Sequence, residues 1–165
     1  MSDEKIYQVL FLCTGNSARS ILAEGLMNHL GRGRFVAHSA GSHPAGAVNP
    51  LALQTLSQLQ IASGNFRSKS WDEFAQPGAL ELDFVFTVCD KAAGEVCPLW
   101  PGQPMTAHWG VEDPSAVEGS DETRLRAFMD TAVILKRRIE LMLALPLATL
   151  DKLSLQRELS SVGKA

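Results

Sequence analysis

The feature that most constrains the fold is an apolar run that leads directly into a turn and then into a helix. Residues 9–12 are all apolar, as in a strand buried on both faces, and residues 14–17 have the composition of a turn. From Ser20 onward apolar residues recur every three to four positions, and Gly31 is placed to end a helix. This succession of strand, tight loop and helix predicts the first unit of an α/β domain.

The same alternation continues along the chain. Apolar and β-branched runs predict three further strands, at residues 35–39, 84–88 and 105–109. Asn49 and Pro50 open a helix as N-cap and first residue, and a long apolar stripe after Ser120 predicts a helix that Pro146 ends. We therefore expect an α/β fold: a three-layer, doubly wound, four-stranded parallel sheet with helices on both faces.

Length and composition set the domain organisation. The chain has 165 residues, of which 45% are hydrophobic and 20% charged, and this is typical of one globular domain. We expect that domain to span residues 1–146. Residues 147–165 form a C-terminal extension, and their pattern leaves open whether they form a short docked helix or a frayed tail.

Composition also argues against several classes of partner. A net charge of -3 lacks the basic excess that nucleic-acid binding needs, and no apolar run approaches the roughly 18–20 residues that span a bilayer. Acidic residues near the start do not fit a signal peptide, so we expect a cytoplasmic protein with no nucleic-acid or membrane partner. Because thiols stay reduced in the cytoplasm, we expect catalytic or redox roles for Cys13, Cys89 and Cys97 rather than a static disulfide framework.

The loop between the first strand and the first helix has the composition of an oxyanion site. Five residues separate Cys13 from Arg19, and the backbone N–H groups of a turn that enters a helix converge on one point. Arg19 offers a planar fork for two oxygens of a tetrahedral anion, and the same positive field favours an ionised thiolate at Cys13. The alternative is a buried strand-end thiol beside a solvated turn. We expect the anion to contact Thr14, Gly15, Asn16, Ser17, Ala18, Arg19 and Ser20.

Two further cysteines are placed to act with this loop. Cys89 follows the strand predicted at residues 84–88, so it is expected at the same edge of the sheet as Cys13. Cys97 comes eight positions later, and a helix between them would hold their Cα atoms about 12 Å apart, beyond the roughly 7 Å limit for a disulfide. We therefore predict that oxidation rearranges this segment. The alternatives are inert buried thiols or a zinc site.

Residues 9–20 read Val-Leu-Phe-Leu-Cys-Thr-Gly-Asn-Ser-Ala-Arg-Ser and are followed by Ala-Glu-Gly at residues 23–25. This segment resembles the phosphate-binding loop of the low-molecular-weight protein tyrosine phosphatase superfamily. Within the superfamily, the chain resembles the thiol-relay arsenate reductases from about residue 6 to about residue 145. Besides the loop, the resemblance depends on Ser39-Ala40-Gly41, Val88-Cys89, Cys97-Pro98, His108-Trp109-Gly110 and Asp113-Pro114.

The resemblance implies a series of steps that reduces arsenate to arsenite. Cys13 is the nucleophile, Arg19 and the loop amides hold arsenate, and Asp113 is the general acid. Cys89 then attacks Cys13, and Cys97 attacks Cys89, so that the oxidation leaves as a Cys89–Cys97 disulfide. An external dithiol resets the enzyme, either thioredoxin or glutathione with glutaredoxin. The chain itself is expected to bind no cofactor.

Two other functions remain open from the sequence. A low-molecular-weight protein tyrosine phosphatase would hydrolyse phosphoesters through a cysteinyl phosphate, but it has no need of Cys89 and Cys97. Ser115 also stands where such phosphatases usually have an aromatic residue. The second alternative is a non-catalytic, redox-sensitive oxyanion sensor.

Three residues also have ordinary structural interpretations. Asp113 fits a common Asp-Pro turn, and we expect His108 and Trp109 to have a packing role.

The resemblance also indicates the remnant of a potassium site. Asn16, Glu24 and Ser39 match positions that surround a potassium ion behind the loop in some arsenate reductases. Lys69 replaces a carboxylate of that site, and its ammonium group would substitute for the cation. We therefore expect no bound metal ion. The alternative is that Lys69 is a solvated loop charge.

Overall fold

A four-stranded parallel sheet organises the molecule. The computed structural model describes residues 5–61, 65–89, 100 and 102–165. The sheet confirms the α/β class expected from the sequence. Its strands are β1 (Tyr7–Cys13), β2 (Phe35–Gly41), β3 (Phe84–Thr87) and β4 (Met105–His108), in the spatial order β2-β1-β3-β4.

Strand β1 is central because its side chains are apolar on both faces. Residues 9–12 are completely buried, and β1 pairs with both β2 and β3. The register places Cys13 beside Gly41 and Leu12 beside Thr87. Since every pairing is parallel, the carboxyl ends of the four strands meet at one edge of the sheet.

Two α-helices in the described part of the chain, those that begin at Pro50 and Asp121, start where the sequence signals place them. The side chain of Asn49 accepts a hydrogen bond from the N–H of Leu51, and Ser120 accepts one from the N–H of Thr123. No helix among the described residues is both long and apolar enough to cross a lipid bilayer. The helices are α1 (Arg19–Leu30), α2 (Pro50–Gln58), α3 (Asp121–Leu143) and α4 (Lys152–Val162).

The two faces of the sheet are covered differently. Helices α1, α2 and α3 pack on the face that carries Phe11 and Phe86. The other face, which carries Leu10 and Leu12, packs against the short 3-10 helix Trp71–Phe74 and against Trp100. Residues 90–99, which connect β3 to β4, lie outside the described residues.

Helix α4 packs along β4, the edge strand of the sheet. Its side chains Leu155, Leu159 and Val162 are buried. The Gln156 Nε2 donates to the carbonyl of Thr106 at 2.7 Å, and this satisfies an acceptor on β4 that no neighbouring strand pairs with. The C-terminal extension, for which the sequence left a helix and a frayed tail open, therefore contains a docked helix.

Candidate active site

The loop of residues 14–18 lies at the carboxyl end of the central strand. β1 ends at Cys13, and α1 begins at Arg19. The N-cap of α1 is Ala18, so no N-cap side chain accepts a hydrogen bond from the first amides of this helix. These N–H groups and the positive end of the helix dipole suit an anion.

A buried asparagine fixes the shape of the loop. Asn16 has a φ of 45°, a left-handed conformation that asparagine adopts more readily than most residues. Its Nδ2 donates to Ser20 Oγ and to Ser39 Oγ, both at 2.9 Å. Its Oδ1 accepts from the backbone N–H of Lys69 at 2.8 Å. The asparagine therefore ties the loop to α1, to β2 and to the segment before the 3-10 helix.

The backbone carbonyls of the loop are also held from outside. The N–H of His43 donates to the carbonyl of Thr14 at 2.9 Å, and Ser68 Oγ donates to the carbonyl of Gly15 at 3.0 Å. At Gly41 the two backbone segments approach so closely that an added Cβ would clash with the Thr14 carbonyl oxygen. These contacts leave the loop little room to change shape.

The structure brings Cys89 to the sulfur of Cys13. The two side chains form a hydrogen bond, and both residues are buried, with 5% of Cys13 and 2% of Cys89 exposed. Thr14 Oγ1 lies 3.6 Å from the Cys89 sulfur. Cys97 lies outside the described residues. Two of the three cysteines that the sequence singled out thus meet at the loop.

The protonation of Cys13 differs from the sequence-based expectation of an ionised thiolate. The hydrogen bond with Cys89 raises the pKa of the Cys13 thiol, and burial raises it further. The Arg19 charge and the N–H of Gly15 lower this pKa but do not outweigh the other two effects. The contact with Cys89 therefore favours the thiol form of Cys13 in this arrangement. The sequence reasoning included the field of the loop but not a second sulfur at this distance.

Arg19 stands between the loop and Asp113. Its Nη1 donates to the carbonyl of Val111 at 3.1 Å, and its Nη2 lies 3.6 Å from Asp113 Oδ2. Its Nε is buried, and no atom in the described part of the chain accepts a hydrogen bond from it. A buried donor without an acceptor is costly, so this atom is available to an anion oxygen in the loop.

Asp113 begins the short 3-10 helix Pro114–Ala116. Its Oδ1 accepts from the N–H of Ser115 at 2.9 Å and from Ser115 Oγ at 2.6 Å. Its other oxygen is the one near Arg19, and 40% of the side chain is exposed. The carboxyl group is therefore both part of an ordinary turn and a neighbour of the loop.

The residues matched to the potassium site also gather behind the loop. Ser39 Oγ donates to Glu24 Oε1 at 2.5 Å and accepts from Asn16. Burial raises the pKa of Glu24, while the Ser39 hydrogen bond and the Lys69 charge oppose this shift. Burial lowers the pKa of Lys69, so the lysine is not simply a solvated surface charge. Its Nζ donates to the carbonyl of Arg67 at 3.0 Å and, among the described contacts, forms no ion pair with Glu24.

His108 and Trp109 have different surroundings. Trp109 is completely buried and stacks on Phe86 with 3.9 Å between the ring centroids, which fits the expected packing role. His108 is exposed, and its Nδ1 hydrogen-bonds Thr87 Oγ1 at 2.7 Å.

The sequence reasoning missed Arg138. Its only signal is an arginine within the apolar stripe of α3, where the structure buries it.

The fold and the loop define the class of protein. Residues 8–156 match the family of low molecular weight phosphotyrosine protein phosphatases, and the chain belongs to this family. Within the family it falls in the arsenate reductase branch. The arsenate reductase of Halalkalibacterium halodurans is 34% identical over 132 residues, which cover 80% of this chain and 91% of that protein.

Solved structures support the same assignment. The structure of an arsenate reductase in the oxidized state has a TM-score of 0.65 and 26% identity, and the match covers 82% of this chain and 95% of that one. The thioredoxin-dependent arsenate reductase of Corynebacterium glutamicum has a TM-score of 0.54 and 26% identity, and the match covers 85% of this chain and 65% of that one.

Proposed function

We propose that this protein reduces arsenate to arsenite. The observation that carries the proposal is the contact between the sulfurs of Cys13 and Cys89 at the oxyanion loop, because a phosphatase has no use for a second thiol there. Relatives with 34% and 37% identity are arsenate reductases. The buried Nε of Arg19 supports the choice of an oxyanion as substrate.

In the first step the Cys13 sulfur forms a bond to arsenic. The loop amides and Arg19 hold the arsenate oxygens, and a hydroxyl leaves as water after Asp113 protonates it. The thiolate of Cys13 is the attacking form, so its proton must leave before or during attack. The contact with Cys89 favours the thiol, and attack on the anion requires the thiolate. Binding of the anion in the loop therefore has to be coordinated with the contact between Cys89 and Cys13.

In the second step Cys89 attacks the Cys13 sulfur. The S–As bond breaks, its electron pair stays on arsenic, and As(V) becomes As(III), which leaves as arsenite. The two sulfurs form a disulfide and supply the two electrons. Cys97 then attacks Cys89, which frees Cys13 and leaves a Cys89–Cys97 disulfide.

An external dithiol must reduce that disulfide. We propose thioredoxin as the first reductant to test, since one structural neighbour is a thioredoxin-dependent arsenate reductase. Glutathione with glutaredoxin is the alternative, because seven residues lie between Cys89 and Cys97, one more than in typical thioredoxin-coupled members. Either system works in a reducing compartment, so we place the protein in the cytoplasm.

Protein tyrosine phosphatase activity is the second candidate function. Cys13, Arg19 and Asp113 lie close enough together to serve it, and the family match favours it. Ser115 forms part of the Asp113 turn and offers no aromatic face to a substrate. A non-catalytic oxyanion sensor would bind arsenate without turning it over.

Three substitutions test the relay in one assay of arsenite formation, with the thioredoxin and glutaredoxin systems supplied separately. Cys13→Ser should form no arsenite, and Cys89→Ser should release none. Cys97→Ser should complete one turnover and then stop. Aryl phosphate hydrolysis is the control, because it needs Cys13 but neither other thiol. Full arsenate turnover by both Cys89→Ser and Cys97→Ser would disprove the relay.

We also propose that Lys69 replaces a potassium ion behind the loop. Its charge opposes the rise in the pKa of Glu24 that burial causes, and a bound cation would have the same effect. Exchange of NaCl for KCl at constant ionic strength should then change turnover by less than about twofold, whereas Lys69→Met should make it sensitive to potassium. A steep potassium activation of the wild type would refute the substitution.

A further inference from the structure

A buried arginine on α3 has an unusual set of partners. Only 7% of Arg138 is exposed, and its neighbours along the helix, Leu135, Ile139 and Met142, are completely buried. Arginine is rarely buried unless its charge is paired. Among the described residues, no Asp or Glu side chain forms an ion pair with it. Backbone oxygens hold the side chain instead.

Two of these oxygens belong to the segment that leaves β4. The Arg138 Nη1 donates to the carbonyl of Trp109 at 2.8 Å and to that of Gly110 at 3.0 Å. Its Nε donates at 3.3 Å to a backbone oxygen of Ala165, the last residue of the sequence. A guanidinium group has its donors in one rigid plane, so it fixes the orientation of the peptide groups that it contacts.

The same segment leads within a few residues to the general acid. The N–H groups of Trp109 and Val111 donate to the carbonyls of Thr87 and Val88, at 2.7 and 3.0 Å, and this attaches the segment to the end of β3. The carbonyl of Val111 accepts from Arg19. Residues 109–111 are therefore held from three sides, by the end of β3, by Arg19 at the start of α1 and by Arg138.

We propose that Arg138 is a positioning residue that fixes the segment 109–113 and thereby places the Asp113 carboxyl beside Arg19. The inference rests on the proposed role of Asp113 as general acid. The described hydrogen bonds of Arg138 all go to backbone oxygens outside residues 14–18, so it acts on Asp113 through the backbone. Loss of its two hydrogen bonds to Trp109 and Gly110 leaves the Asp113 turn intact, but the Asp113 carboxyl is then no longer held in one position relative to Arg19.

The test measures arsenite formed in a single turnover by pre-reduced enzyme, so that no external reductant is needed. Asp113→Asn should lower the maximal rate by about 100-fold or more. Arg138→Met should lower it by about tenfold to 100-fold, because small misplacements of a catalytic group cost that much. The arsenate concentration at half-maximal rate, and the protection of Cys13 from iodoacetamide by inorganic phosphate, should change by less than about twofold.

Two further variants separate positioning from general damage. Arg138→Lys keeps a donor and should recover part of the rate, and Arg137→Met, an exposed arginine on the same helix, should behave as wild type. In the Asp113→Asn background Arg138→Met should cost less than about a further twofold, since the group that it positions is already gone.

The outcomes distinguish the inference from the function on which it depends. Equal losses from Arg138→Met with and without Asp113 would overturn the inference, and so would a wild-type rate in Arg138→Met alongside an impaired Asp113→Asn. A wild-type rate in Asp113→Asn would overturn the acid assignment, and the inference with it. If Arg138→Met fails to fold, Arg138→Lys in both backgrounds gives the same comparison.

Discussion

At the scale of single residues, the sulfur of Cys13 is subject to opposing influences. The loop and Arg19 favour the thiolate, whereas Cys89 and burial favour the thiol, and the second pair is stronger. Contact with Cys89 therefore lowers the thiolate fraction of the nucleophile. A lower thiolate fraction slows adventitious oxidation, which requires the thiolate.

Removal of the Cys89 sulfur should make Cys13 more reactive. In Cys89→Ala the pKa of Cys13 should fall, because the hydrogen bond that raises it most is gone. Below that pKa each unit of decrease raises the thiolate fraction tenfold, so alkylation by iodoacetamide at pH 7 should accelerate by about tenfold or more. The measurement is the alkylation rate from pH 5 to 10, with Cys97→Ala as control. An unchanged pH profile would contradict the assignment.

Gly41 is the second residue at which a small change should have a large effect. A methyl group there would clash with the carbonyl of Thr14, so Gly41→Ala should displace the loop and lower the free energy of unfolding by about 1–3 kcal/mol. Phosphate should also protect Cys13 less well in this variant. Urea unfolding and alkylation measure the two effects. Val36→Ala, at an exposed position of the same strand, should stay within about 0.5 kcal/mol of wild type.

At the scale of elements, β4 and α4 depend on each other. β4 is an edge strand, and edge strands invite pairing with other chains unless they are covered. α4 covers it with buried apolar side chains, with Gln156 on the Thr106 carbonyl and with Leu159, whose carbonyl accepts from Trp109 Nε1 at 2.9 Å. Gly163 packs directly on the carbonyl of His108, which leaves no room for a side chain.

The stability of this packing can be tested with two leucines of α4. Leu159 is completely buried, whereas 69% of Leu153 is exposed. Leu159→Ala should lower the free energy of unfolding by about 2–5 kcal/mol, because it leaves a cavity beside Trp109. Leu153→Ala should change it by less than about 0.5 kcal/mol. Similar values for both in urea denaturation would mean that α4 is not docked in solution.

At the scale of the whole molecule, the site combines residues from distant parts of the chain. Cys13 and Arg19 flank one loop, Cys89 follows β3, and Asp113 follows β4. The parallel sheet brings them together because the carboxyl ends of β1, β3 and β4 lie side by side. Cys13 and Cys89 are 76 positions apart in the sequence, and this strand order is what brings them to one edge of the sheet.

A count of thiols tests the relay in the intact protein. Pre-reduced enzyme has three thiols, and one equivalent of arsenate should leave one, because the reduction consumes two electrons. Peptide mapping of the alkylated product should find Cys13 modified and Cys89 linked to Cys97. In Cys97→Ser the link should join Cys13 to Cys89. Persistence of a Cys13–Cys89 disulfide in the wild type would show that the third thiol does not take part.

Much of this site is predictable because its signals are local. The turn composition of residues 14–17 and the fixed spacing from Cys13 to Arg19 are read within one strand-loop-helix unit. The caps at Asn49 and Ser120 are equally local, and the structure has both. The upward shift of the Cys13 pKa could not be predicted for the complementary reason, since its main cause, Cys89, lies 76 positions away in the sequence.

The sequence by itself determined the order of strands and helices and the oxyanion loop, because periodicity, caps and turn residues act over a few positions. Three contacts were decided only by the tertiary structure. Cys89 contacts Cys13, and Gly41 packs against the carbonyl of Thr14. Arg138 donates hydrogen bonds to the segment before Asp113. Those contacts depend on the distances between elements. The sheet order and the packing of α3 set these distances, and no local pattern in the chain encodes them.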